Sequence, residues 1–113
     1  LLTAFLALAV FVGCSPYPQY KNVGEFRTDI DNWGIVKMAA FGEARRALES
    51  EGFKCSRSEP NGVWPTYDCV RHAESIPCKQ THLIRLELDD NESRIRAFSL
   101  GQHKDGRIPS VCL

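Results

Sequence analysis

Hydrophobic and polar positions fall along this chain in three regimes. Leu1 to Gly13 is almost wholly apolar and carries no charge. An apolar run of roughly 7–15 residues closed by small residues has the form of a secretory leader core, whereas a membrane-spanning helix needs about 20. Ser15-Pro16-Tyr17-Pro18-Gln19-Tyr20 follows, and prolines so closely spaced exclude helix and predict an extended, polyproline-like arm. Such an arm is either a free tether or a segment packed on the domain through Tyr17 and Tyr20. The division expected is a leader over 1–13, a tether over 14–29 and one small domain over 30–113.

Helical periodicity governs the next regime. Asp29 to Met38 is ambiguous, with Asp29, Asp31 or Asn32 available as caps and Gly34 interrupting. Phe41 to Glu51 is clearer. Ala44, Ala47 and Leu48 share one face, and Glu43, Arg45, Arg46, Glu49 and Glu51 cover the other. Gly52 suits the left-handed position beyond the helix, which would lay Phe53 over Leu48 in a Schellman stop.

From Phe53 the period changes to strict alternation. Strands are expected over Phe53–Arg57, Thr66–His72, Thr81–Leu88 and Arg94–Leu100, with turns at Pro60-Asn61-Gly62, Glu74–Pro77, Asp89-Asp90-Asn91 and Asp105-Gly106. Ile84, Leu86 and Leu88 alternate with Arg85 and Glu87, so one sheet face is buried. In the fourth strand Ile95 and Ala97 oppose Phe98 and Leu100, a conflict that a bulge near Ala97 would resolve. The fold class is therefore α+β: an N-terminal helix, or two short ones, on a three- to four-stranded antiparallel meander.

Composition narrows the setting. Fourteen basic residues balance fourteen acidic ones in a chain of 113. A neutral chain has no long-range pull on nucleic acid, so nucleic acid is excluded as a partner. Hydrophobic content of 43% is ordinary for a globular fold and excludes disorder over most of the length. Five cysteines divide into Cys14, at the end of the apolar run, and Cys55, Cys69, Cys78 and Cys112. Four cysteines allow three pairings. The turn midway between Cys55 and Cys69 favours that bridge and leaves Cys78–Cys112 to pin the tail.

Gly13-Cys14, behind Phe11-Val12, resembles the lipobox of bacterial lipoproteins. The resemblance implies a Cys14 lipidated on its sulfur and acylated as the new N-terminus. Phe11 and Val12 depart from the usual Leu and small residue, and no Lys or Arg precedes Lys21, as expected of an N-terminally truncated leader. Ser15, rather than Asp, after the lipid cysteine implies the outer membrane. The order of anchor, helix and sheet over about residues 35–100 is similar to the small accessory lipoproteins of the outer-membrane β-barrel assembly machine, with Gly42 as the position matched ahead of the helix. The four domain cysteines do not belong to that family's pattern. These resemblances imply a disulfide-stapled lipoprotein facing the periplasm, whose partners are the lipid bilayer, through Cys14, and another envelope protein.

Candidate chemistry is sparse. Cys69 with His72 and Cys78 with His82 approach zinc-ligand spacing, but strand alternation sends Cys69 and His72 to opposite faces. A nucleophilic cysteine would need His72, His82 or His103 beside it, and no hydrolase or metalloprotease motif is present. No metal, cofactor or catalytic residue is expected. Recognition falls to Trp64, on a hairpin loop tied by Cys55–Cys69, and to Tyr67. Arg71, Arg85, Arg94 and Arg96 are expected to line a solvated sheet face. The function expected is that of an accessory or scaffolding lipoprotein. The alternative is a small periplasmic inhibitor or ligand-binding module: Tyr67-Asp68-Cys69 resembles a stretch of the membrane-bound lysozyme inhibitors, though those are all-β barrels and a helix argues against that fold.

Overall fold

The computed structural model describes residues 16–59 and 63–113; the apolar leader, Cys14, Ser15 and the Pro60-Asn61-Gly62 turn lie outside the described residues. Two helices, α1 (Val23–Asn32) and α2 (Phe41–Ser50), precede five strands: β1 (Lys54–Ser58), β2 (Thr66–Ser75), β3 (Cys78–Leu88), β4 (Ile95–Leu100) and β5 (Ser110–Cys112). The strands form one antiparallel sheet in the order β1-β2-β3-β4, with β5 pairing the start of β3. The class is α+β.

Helix α1 corrects two expectations. It begins inside the segment expected as tether, and it ends where the ambiguous helix was expected to start. Asn22 caps it, its Oδ1 accepting the Glu25 amide at 3.1 Å, while Glu25 Oε1 accepts the Lys21 amide at 2.7 Å. The first bond satisfies an amide that the opening turn leaves without a helical partner, and the second ties the residue ahead of the cap to the helix. Gly34 does not interrupt the helix; it stops it. At φ +81° it follows the Trp33 C-cap, its amide donating to Asp31 O and the Ile35 amide to Ile30 O. Ile30 and Ile35 are both fully buried, the hydrophobic contact of a Schellman motif.

Helix α2 ends as expected by the same device. Gly52, at φ +92°, donates to Glu49 O, and Phe53 donates to Leu48 O at 3.0 Å. Arg45 and Glu49, one turn apart, pair at 3.7 Å on its solvent side. One helix stop is thus used twice, and each time it delivers an apolar residue to the core.

Alternation then decides which sheet face the helices cover. Ile84, Leu86 and Leu88 of β3 are fully buried, together with Cys69 of β2 and Ile95 of β4. They meet Phe26 and Ile30 of α1 and Phe41, Ala44 and Leu48 of α2 in one core. The register shifts between Glu87 and Leu88, so that Leu88 pairs Ile95 while Glu87 pairs Ala97. Arg96 is the extra residue, and the bulge lets Ile95 and Leu100 face the same core despite their opposite parity. The β2–β3 hairpin is longer than expected, closing at Ser75↔Cys78 around Ile76-Pro77. The tail expected after Asp105-Gly106 adds the short strand β5.

Both bridges join directly opposed residues. Cys55 pairs Cys69 across β1 and β2, and Cys78 pairs Cys112 across β3 and β5. The N-terminal arm is packed, not free. Gln19 Nε2 donates to Ala73 O at 2.6 Å, the Tyr20 amide donates to Gln80 Oε1 at 2.8 Å, and Tyr20 is buried.

Candidate functional site

The densest set of chemistry-bearing side chains lies under the helices. On β2 and β3, Arg71 shares the face of Cys69 and His82 that of Ile84, and the two are directly paired. Arg71 is 2% exposed and His82 is fully buried. A guanidinium only donates, and it loses several kcal/mol of hydration when buried, so each of its forks must find an acceptor. Nε donates to His82 Nδ1 at 3.0 Å, Nη1 to Glu51 O at 2.9 Å and Nη2 to Tyr20 Oη at 3.1 Å. Glu51 is the C-cap of α2, the end where the helix dipole favours a cation. The faces of Phe53, Tyr17 and Trp33 lie 4.5, 4.8 and 5.4 Å from the guanidinium carbon, and aromatic faces attract a desolvated cation.

The rest of the network follows from donor and acceptor logic. Because Arg71 donates to Nδ1, that nitrogen carries no proton, and neutral His82 holds its hydrogen on Nε2, facing Gln80 Oε1 at 2.8 Å. Gln80 Nε2 donates to Tyr20 O at 2.8 Å, and Tyr20 Oη donates to Asp29 Oδ2 at 2.6 Å. Burial and the hydrogen bond to Asp29 push the Tyr20 hydroxyl well above the usual phenol range. Among the described residues no buried side-chain polar atom lacks a partner. The network joins the arm, α1, α2, β2 and β3, and its chemistry is spent on holding them together.

Its pH dependence has a definite sign. Burial, then the Arg71 charge and the His72 ring, lower the His82 pKa from 6.5 to about 3. Between those values the unfolded chain binds a proton that the folded one refuses, so stability falls as pH falls through this window. The slope approaches 1.4 kcal/mol per pH unit. Asp89 and Asp105 also have lowered pKa values, through bonds from the Arg94 and Arg107 amides respectively, but a carboxylate acts below its unfolded value near 4. Urea unfolding at pH 7 and pH 4.5 therefore isolates His82. We expect a markedly lower midpoint at pH 4.5, and His82→Gln should flatten the difference.

The residues expected to carry recognition are not gathered together. Trp64 is half-buried ahead of β2, with the Arg96 guanidinium 4.2 Å from its ring centre. Arg96 also pairs with Glu87, on the sheet face away from the helices. Tyr67 lies on the helix side, 4.7 Å from Phe41 and flanked by Arg45 and Arg57. Cys55, Cys69, Cys78 and Cys112 form the two cystines, and Cys14 is outside the described residues. Of the four arginines expected on a solvated face, Arg85 and Arg96 are there, Arg85 forking onto Asp68 at 2.7 and 3.2 Å. Arg94 donates to Met38 O, and Arg71 is in the core.

The signal for Arg71 and His82 was strand parity: each sits two residues from a core position, Cys69 or Ile84. Among the described residues no three His, Cys, Asp or Glu side chains converge to hold a metal ion. Nor is any helix there long and apolar enough to cross a membrane. Comparison with family models, curated proteins and solved structures finds no match.

Proposed function

We propose that this chain is a lipid-anchored component of a bacterial cell envelope, held through an acylated Cys14 on the outer membrane and facing the periplasm. It acts as an accessory or scaffolding component through contacts with another envelope protein, not through catalysis. The observation that carries this reading is the partition of the cysteines. Four fall into two directly opposed cross-strand pairs, the use of cysteine made in oxidising compartments. The fifth stands behind the apolar run at Gly13-Cys14.

Protein contact is supported by the sheet. The helices cover one face, while the other presents Trp64 and the Asp68–Arg85 and Glu87–Arg96 pairs. Half-exposed ion pairs beside an aromatic suit a polar, specific contact. Cys14→Ala tests the anchor. The native chain should take up labelled fatty acid and sediment with membranes, and the variant should do neither. An unchanged distribution would remove the anchor.

A further inference from the structure

Exposure separates the two bridges. Cys69 is fully buried and Cys55 packs against the same core, which shields the bond between them. Cys112 is exposed and Cys78 half-buried, at the end of the sheet beyond that core. In thiol–disulfide exchange a thiolate must reach a sulfur of the bond, so access decides which bridge breaks first, and exposed bridges are the labile ones.

What the outer bridge holds is small and bounded. Strand β5 has three residues, all exposed, and pairs only with residues 78–80 of β3. The Leu113 amide adds one bond, to Pro77 O at 2.9 Å. So short a strand pairs only marginally without its crosslink. Just upstream the chain is fastened independently. Ile108 is buried, the Thr81 amide donates to Pro109 O at 2.9 Å, and the Val23 amide donates to Gly106 O at 2.8 Å. Opening Cys78–Cys112 therefore frees residues 110–113 and stops at Pro109.

We infer that Cys78–Cys112 is a redox-sensitive latch, which a dithiol reductant opens while Cys55–Cys69 stays closed. One thiolate of the dithiol attacks Cys112 Sγ, forming a mixed disulfide and expelling Cys78 as a thiolate. The second thiol, as its thiolate, attacks the reductant's own sulfur in that bond and expels Cys112 as a thiolate. The reductant leaves as a disulfide, having given two electrons to the cystine and two protons to Cys78 and Cys112. Open, the latch leaves the backbone of residues 78–80 unpaired along a sheet edge that only the oxidised form covers. None of this needs an acyl group on Cys14.

The test uses the full chain purified from membranes. N-ethylmaleimide first blocks any free thiol; graded dithiothreitol follows, then iodoacetamide, and each cysteine is read by peptide mass. Cys78 and Cys112 should take up the second label at least about tenfold faster than Cys55 and Cys69, whose attack waits on opening of the core. The half-reduced chain should keep the tryptophan emission of the oxidised one and gain rapid amide exchange only at residues 110–113. Label reaching all four cysteines together, or Cys55 and Cys69 first, overturns the latch. So does a half-reduced chain with the emission of the unfolded protein, because the outer bridge would then hold the whole domain. N-ethylmaleimide found on Cys14 removes the anchor proposed above and leaves the latch to be decided by the other labels.

Discussion

Arg71→Ala should destabilise the domain by about 3–5 kcal/mol, because each buried acceptor left unpaired costs roughly 1–3 kcal/mol and the lost side chain leaves a cavity. The substitution strands His82 Nδ1 and the Glu51 carbonyl, takes a donor from Tyr20 Oη, and opens space between Phe53, Tyr17 and Trp33. Arg71→Lys should recover little, because an ammonium on a flexible stem cannot fill three forks set by a planar guanidinium. Removing both halves is different. Arg71→Met combined with His82→Phe should cost less than the sum of the single changes, with a coupling of roughly 1–3 kcal/mol. Urea unfolding followed by the emission of Trp33, whose ring lies 5.4 Å from Arg71, reads all five variants, the two single changes of the pair included. Full additivity would mean that the contacts do not act as a unit.

Reduction of both bridges should be more damaging still. On the chain-entropy account, bridges of sequence separation 14 and 34 contribute about 3 and about 4 kcal/mol. Their sum is comparable with the whole stability of a typical small domain, about 5–15 kcal/mol. The two losses should look different. Cys69 is fully buried in the core, so cutting Cys55–Cys69 weakens the sheet globally. Strand β5 is three residues long and exposed throughout, so Cys78→Ser with Cys112→Ser should free it while the helices stay packed. Hydrogen exchange separates them: rapid exchange confined to β5 in the second variant, and general loss of protection in the first. Equal, global loss in both would contradict the assignment of β5 as a strap.

Which features were legible in the sequence follows a physical division. Gly52, the β3 alternation, the conflict of parity in β4 and the turn between Cys55 and Cys69 are local signals. Each predicted what the structure contains: a Schellman stop, a core face, a bulge and a cystine. Helix α1 was expected too late in the chain because Gly34 can break a helix or end one, and only the Asn22-to-Glu25 cap upstream decides which. Arg71 was missed for a different reason. Its strand parity pointed inward, but burial of a guanidinium becomes tolerable only when the arm, two helices and a neighbouring strand deliver acceptors and aromatic faces to one place. That convergence is tertiary. The same holds for the arm, whose prolines predict extension but not what the extended chain will pack against.

The central claim is that this chain is exported, acylated at Cys14 and oxidised at its other cysteines. Intact-mass measurement of the protein extracted from membranes, alkylated with and without prior reduction, tests it most directly. The account predicts a chain beginning at Cys14, heavier by its lipid, whose four remaining thiols take up alkylating agent only after reduction. An unlipidated Cys14, with thiols that are alkylated without reduction, would contradict it.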